Sequence, residues 1–526
     1  MAGGPAVATQ GAGYQHLITE HKVWYKNRRM LMLNACICLL LITSSTNGYD
    51  GSMMNGLQSV SAWEKEFNSP TGGTLGLFNA IQNIGSLAAY PFAPYAADGF
   101  GRRPTIFFGA CVMIVGTILQ SVSHTFAMFI GARFLIGFGL TFAAAAAPLL
   151  VTEIAYPTQR AQATSMYNTL WYLGSIIAAW TTFGTFRIHN NWAWRIPSAL
   201  QGLPSVIQVF LIWLVPESPR YLVSKGREDE ALKTLAYYHG SGDRNDPLVQ
   251  YEFEEIRAAI AFDRDVAANV GWLSLFKTPG NRRRMRIIIA IAFFSQWSGN
   301  GLVSYYLNKV MNSIGITDSS TQLLINGILN IFNFIVAIMA GFLCERVGRR
   351  RLFMTSTIGM LVFWTLQTVC VALYAQDNSR KGAAHTVIAM ISIFEINKIH
   401  GTDLAFTPLI VSYTVEILPY SLRAKGFTVF NFSISLSLIF NQYVNPIALG
   451  KIAWKYYLVY VVFLAFEVVF CYFFIIETKG LSLEETAALF DGADTVAMIT
   501  ENAHIQAGTD GASNDSNEKI DEKQIE

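Results

Sequence analysis

The sequence predicts an all-α membrane protein: twelve transmembrane helices in two pseudo-symmetric six-helix bundles. Three observations carry this. Charged residues make up 14% of the 526 and hydrophobic ones 52%, whereas soluble chains carry about 25% charged residues. Apolar runs long enough to cross a bilayer as helices recur about twelve times. Short charged motifs also repeat in register between the first six runs and the last six. A net charge of +2 offers no electrostatic footprint for nucleic acid.

The runs fall near 31–50, 75–97, 104–122, 126–150, 162–184, 196–215, 287–311, 321–343, 352–375, 386–414, 425–446 and 456–476. The expected organisation is a cytoplasmic segment 1–29, a first bundle 30–216, a linker 217–285 with short surface helices, a second bundle 286–476, and a mostly disordered acidic tail 477–526. Lys22, Lys26, Arg28 and Arg29 precede a run with no small-residue cleavage site, so no secretory leader is expected. The first run, Met30 to Thr46, is uncharged and ends in Gly48-Tyr49-Asp50-Gly51. Asp50 either marks the water boundary or is an embedded proton site, because a carboxylate at that depth costs a few kcal/mol or more.

Basic loops set the expected orientation. Arg102 and Arg103 lie between spans 2 and 3, Arg160 between 4 and 5, and Arg282, Arg283, Arg284 and Arg286 before span 7. Arg346, Arg349, Arg350 and Arg351 lie between spans 8 and 9, and Arg423 and Lys425 between 10 and 11. The alternate loops are nearly free of Lys and Arg, which places both termini in the cytoplasm. Cys36, Cys38, Cys111, Cys344, Cys370 and Cys471 all sit in or beside apolar runs. They read as small embedded residues, not disulfides or metal ligands. No nucleophile–base arrangement, metal cluster, phosphate-cradling loop or ATPase motif is present, so neither an enzyme nor a cofactor is expected.

The repeat is specific. Asp98-Gly99-Phe100-Gly101-Arg102-Arg103 follows span 2, and Glu345-Arg346-Val347-Gly348-Arg349-Arg350 follows span 8. Glu153 and Arg160 after span 4 recur as Glu416 and Arg423 after span 10. Parallel six-helix halves are the plan of a major-facilitator transporter. With Pro216-Glu217-Ser218-Pro219-Arg220 after span 6 and Glu477-Thr478-Lys479-Gly480-Leu481-Ser482 after span 12, residues 30–490 resemble a sugar porter of that superfamily. Asn47 to Gly51, Tyr167 to Tyr172, and Phe406 to Leu409 through Tyr413 to Pro419 are most similar to fungal disaccharide permeases of the lactose and cellodextrin type.

The resemblance implies a plasma-membrane transporter whose partners are a small sugar, a proton and the lipid bilayer, functional as a monomer. Proton-coupled sugar porters are similar to this chain in having Asp at the position of Asp50, and Arg133 matches the family's span-4 arginine. Burial favours the neutral carboxyl and a nearby guanidinium the charged one, so a changing Asp50–Arg133 distance would load and release a proton. A charge falling through 100 mV releases about 2.3 kcal/mol, roughly 50-fold accumulation of a neutral sugar. Two alternatives stand beside symport: a proton-independent facilitative carrier, and a sugar sensor that does not transport.

A sugar site needs hydrogen-bonding side chains beside aromatic faces. Span 7 offers Gln296, Asn300, Tyr305 and Tyr306, and resembles the family's sugar motif, with Gly301 where Asn is usual. Asn300, one place earlier, would point about 100° away on a regular helix. By the same likeness, Asn333 is a sugar contact with Asn330 one turn away, and Asn168 and Val411 are smaller than the family's usual residues, leaving room for a larger sugar. Trp171, Tyr172 and Asn445 are further lining candidates. Asp98, Arg102, Arg103, Glu153 and Arg160 are expected to form a gating charge network under the first half, and Glu345, Arg349, Arg350, Glu416 and Arg423 under the second. Glu395-Ile396-Asn397-Lys398-Ile399-His400-Gly401-Thr402-Asp403, in the middle of span 10, is unusual for the family. It reads as part of the substrate site, a second ion relay, or an altered segment.

Overall fold

The computed structural model describes residues 27–269, 271–376 and 407–478, with Tyr25, Thr486 and residues 489–491; some helical side chains, including those of Asn168 and Glu345, fall outside the description. Glu395 to Asp403, and most of span 10, also lie outside the described residues. Helices and turns make up the described chain, with no strand among the described residues.

Span 1 is Arg28–Leu57, whose 30 residues extend past the apolar run and carry Asp50 into the interior. Asn27 caps it, its side chain accepting from the Arg29 N–H at 3.0 Å. Span 2 runs as Gly72–Ala89 and Ala93–Phe100, interrupted at Tyr90-Pro91-Phe92, where proline removes a donor. Span 3 is Arg102–Ser121, span 4 Phe126–Ile154 and span 5 Arg160–Thr185. Span 6 comes as Trp192–Leu200 and Leu203–Leu211, with a short tight turn to Leu214. Pro204 explains its break, which falls on Gln201 and Gly202.

The linker holds helices Pro219–Ser224, Glu228–Tyr238, Pro247–Asn269 and Ser274–Lys277. The second of these starts with Glu228, Asp229 and Glu230, which complement the helix dipole. Span 7 is broken into Pro279–Trp297 and Asn300–Ser313 by Gly299, in the left-handed region at φ +92°. Span 8 is Ser319–Val347 and span 9 Arg349–Gln376. Span 10 is described over Thr407–Ile417, span 11 over Tyr420–Ile452 and span 12 over Tyr456–Phe474.

The packing repeats with the sequence. Within the first half span 1 lies along span 5; within the second, span 7 lies along span 11. Between the halves, span 2 packs on span 11 and span 5 on span 8. The repeat exchanges 2 with 8 and 5 with 11, so these are one contact made twice, with the span 1/span 7 contact on the axis between them. The linker helices sit at the end of the bundle where span 1 begins: Arg29 lies over the Tyr237 ring, 4.7 Å from its centroid. This end is the linker face, and the opposite end the far face.

Lipid tails are as apolar as a leucine side chain, so helices in a bilayer associate through close backbone approach and polar contacts. Spans 1 and 5 show why two glycines stand where they do. A Cβ at Gly48 would lie 1.8 Å from the Trp171 carbonyl oxygen, and one at Gly174 1.8 Å from that of Ser45. Neither obstacle is a flexible side-chain tip. Gly174→Ala is therefore expected to destabilise the fold by at least ~1–3 kcal/mol, read as a lower thermal midpoint in detergent. Gly131→Ala, where nothing lies within 4 Å, should leave that midpoint unchanged; equal midpoints for both variants would refute the close approach.

Candidate functional site

Asp50 is fully enclosed, at 0% exposure, with Arg133 at 2%. The Arg133 guanidinium donates to Oδ1 of Asp50 at 3.1 Å, and the Gln201 amide donates to the same oxygen at 2.6 Å. Arg133 spends its other terminal nitrogen on Gln82 Oε1 at 3.0 Å, and Gln120 donates to Gln201 Oε1 at 3.3 Å. One hydrogen-bonded chain thus joins spans 3, 6, 1, 4 and 2. Oδ2 of Asp50 has no hydrogen-bond partner among the described residues. Gln201 is the shortest contact to the carboxylate and was not singled out from the sequence. The Pro204 break that frees it was the available signal.

Span 8 carries a ladder of amides. Gln322, Asn326, Asn330 and Asn333, spaced by four, four and three, fall on one helix face. At the far face the ladder meets span 1. Asn55 donates to Asn326 Oδ1 at 3.2 Å and Ser59 to Gln322 Oε1 at 2.9 Å. Gln58 donates to the Tyr305 carbonyl at 2.8 Å, and Asn308 donates back to the Gln58 carbonyl at 2.8 Å. These neutral contacts close the far face between the two halves. Deeper, Asn330 donates to the Asn326 carbonyl at 2.9 Å, and Oδ1 of Asn333 is buried without a partner among the described residues.

The remaining candidates divide. Gln296, Asn300, Tyr305, Asn330, Asn333 and Trp171 are half-buried. Asn300 spends its amide N–H on the Ser295 carbonyl at 3.1 Å, across the span 7 break. Asn441 donates to the Gln296 carbonyl at 2.7 Å and so supports the same break from span 11. Tyr306 is buried, its hydroxyl on the Gln442 carbonyl. Asn445 is enclosed, held by the hydroxyls of Tyr456 at 2.8 Å and Tyr460 at 2.6 Å. The Trp171 ring lies against Gly51, next to Asp50.

The loop motifs are built twice with one geometry. Arg102 makes a paired contact with Glu153 (Nε and a terminal nitrogen, both 3.1 Å), and Asp98 lies 3.5 Å from it. Arg349 contacts Glu416 at 2.9 Å. Glu217 receives the N–H groups of Arg102 and Arg103 at 3.1 and 3.2 Å, capping span 3. Glu477 receives those of Arg349 and Arg350 at 2.8 and 3.1 Å, capping span 9. A carboxylate on the first amides of a helix satisfies orphan donors and the dipole together. Arg103 and Arg350 each donate to a carbonyl late in the last span of their own half, Trp213 in span 6 and Tyr472 in span 12. Gly101 and Gly348 make the turns at φ +107° and +99°. Arg160 departs from the expected grouping: it reaches Glu252 of the linker at 3.4 Å, while Glu153 is held by Arg102. Arg423 is half-buried at the start of span 11.

Residues 35–490 match the protein family described as sugar (and other) transporters. A high-affinity glucose transporter of Kluyveromyces lactis is 27% identical over 481 residues, covering 86% of this chain and 83% of the relative. A low-affinity glucose transporter of Saccharomyces cerevisiae is 28% identical, covering 79% and 72%. Among solved structures, the inward-open xylose transporter XylE of Escherichia coli superposes with a TM-score of 0.71 at 20% identity, covering 87% of this chain and all of that one. The proton:xylose symporter XylE bound to 6-bromo-6-deoxy-D-glucose gives 0.68 at 21%. These likenesses establish the major-facilitator fold and a sugar porter rather than an enzyme; they are to glucose and xylose transporters and do not single out the disaccharide permeases expected from the sequence. The chain belongs to the sugar transporter family of the major facilitator superfamily.

Proposed function

We propose that the protein is a plasma-membrane proton/sugar symporter that works by alternating access as a monomer, with both termini and the linker face in the cytoplasm. The observation that carries this is the enclosed Asp50, paired with Arg133 and Gln201. An ion pair sealed in a span is expensive unless it has a task. Oδ2, buried and open to a proton, offers that task. In this conformation the far face is closed and Arg133 and Gln201 stabilise the carboxylate anion, the state left after a proton has departed toward the cytoplasm. Reopening the far face would move span 1 away from spans 7 and 8 and weaken the Arg133 contact. Asp50 would then take a proton from outside, ahead of the next sugar.

The sugar would lie between the halves, below the far-face amides, against Asn330 and Asn333 of span 8, Gln296 and Tyr305 of span 7, and Trp171 of span 5. Asn168 enters the same proposed lining on the family likeness alone. A disaccharide is the favoured substrate, on the smaller residues Asn168 and Val411, with a hexose as the alternative. The paired loop networks would serve as gating latches on the cytoplasmic side, formed and released once per cycle. The proposed boundaries are bundles 30–216 and 286–476 joined by the linker 217–285.

Two results are expected. Asp50→Asn should reduce steady-state sugar accumulation from tens-fold to about one while sparing counterflow exchange in the same vesicles. Equal loss of both would give Asp50 a structural role, and a wild type indifferent to an uncoupler would make the protein a facilitative carrier. In a transport-null host, uptake of lactose or cellobiose should exceed that of glucose. A preference for hexoses would remove the disaccharide assignment and leave symport untouched.

A further inference from the structure

Away from the pathway, the linker encloses a second titratable pair. His239 follows the helix Glu228–Tyr238 and is 4% exposed; Glu252, on Pro247–Asn269, is 6% exposed. The imidazole is held from both sides. Its Nε2 lies 3.2 Å from the Ile154 carbonyl oxygen at the end of span 4, and its Nδ1 lies 2.5 Å from Oε2 of Glu252. A carbonyl oxygen only accepts, so Nε2 carries a hydrogen. Nδ1 and a carboxylate oxygen each present a lone pair, so so short a contact requires a proton between them. The pair therefore binds one proton beyond the Nε2 hydrogen. Without it, two lone pairs would oppose each other in a site closed to water.

The surroundings define what this proton does. Oε1 of Glu252 accepts from Arg160, the first residue of span 5, at 3.4 Å. Tyr156, in the turn between spans 4 and 5, meets the imidazole edge-on at 5.4 Å. Burial, then the negative charges of Glu252 and Asp246, push the Tyr156 phenol up, so it stays neutral beside the pair. Met30 and Leu248 pack with Tyr156 as the apolar wall. The charged groups about His239 are thus Glu252, with Arg160 behind it, and Asp246 beyond Tyr156. The linker helices pack on one another and on the start of span 1. His239, Glu252 and Arg160 tie this small bundle to the ends of spans 4 and 5.

We propose that His239 and Glu252 form a proton-binding site, separate from Asp50, whose occupancy docks the linker helices onto spans 4 and 5. The proton comes from and returns to solvent at the linker face, moving onto Nδ1 as the helices dock. Docking is favoured when the pair holds this proton and weakened when the proton is lost.

The test is hydrogen–deuterium exchange on the purified full-length protein in detergent, from about pH 6 to 9, with the intrinsic chemical rate divided out. In the wild type, protection of residues 228–260 should fall about tenfold or more toward alkaline pH, with spans 1 and 3 unchanged. His239→Arg, a permanently charged donor, should hold that protection at every pH. His239→Gln should lack it at every pH, and Glu252→Gln should remove the dependence. Flat protection in the wild type, or the same dependence in both His239→Gln and Glu252→Gln, would overturn the proposal. Failure of the symport reading would show in accumulation, not in this measurement.

Discussion

The first half of the molecule is arranged around one carboxylate that cannot reach water. A lone charge in that position costs several kcal/mol, and so does the guanidinium beside it. Each is tolerable because the other is present, which fixes span 1 against span 4 at that depth. Gln201 donates to the same carboxylate oxygen from span 6, Gln82 accepts from the guanidinium from span 2, and Gln120 extends the chain to span 3. Gly48 and Gly174 bring span 5 into backbone contact with span 1 just below the acid. Removal of either charge would therefore disturb an assembly of spans.

The two faces carry different chemistry. At the far face, Asn55, Gln58 and Ser59 meet Asn308, Gln322 and Asn326 through neutral hydrogen bonds, each contributing about 1 kcal/mol. Such a latch is indifferent to pH and salt. At the linker face the networks are ionic, built twice, and bound into helix starts by Glu217 and Glu477. They respond to ionic strength where exposed. A carrier passes repeatedly between states of similar free energy, so neither face can be sealed by contacts that are hard to break.

The fold was legible because it is written in bulk properties. Apolar runs, basic loops and a motif repeated after spans 2 and 8 require no knowledge of side-chain contacts. The chemistry of the motifs was less accessible. Pro216-Glu217 and Glu477-Thr478 stood out as tags, but that their carboxylates cap spans 3 and 9 depends on residues 114 and 127 positions away in the chain. Gln201 was hidden for a similar reason: even beside the Pro204 break, a glutamine in an apolar run says little until the partner, 151 residues away, is placed beside it. Asn300 shows the opposite case. Its displacement by one residue from the usual position was visible, and its amide is turned to the span 7 break. The amide ladder of span 8 had the spacing of a helix face, yet its upper members, Gln322 and Asn326, became meaningful only opposite span 1. Substrate breadth was read from the small residues at 168 and 411, and a position's size alone does not distinguish a hexose carrier from a disaccharide carrier.

Proton coupling through Asp50 is the claim on which the account turns, and a thermodynamic measurement addresses it most directly. Purified protein in sealed proteoliposomes, given a defined pH gradient and no sugar gradient, should accumulate its sugar against concentration. One proton per sugar predicts about a tenfold rise in the accumulation ratio for each imposed pH unit at zero voltage. A ratio that stays at one across all gradients, with sugar exchange intact, would contradict the account.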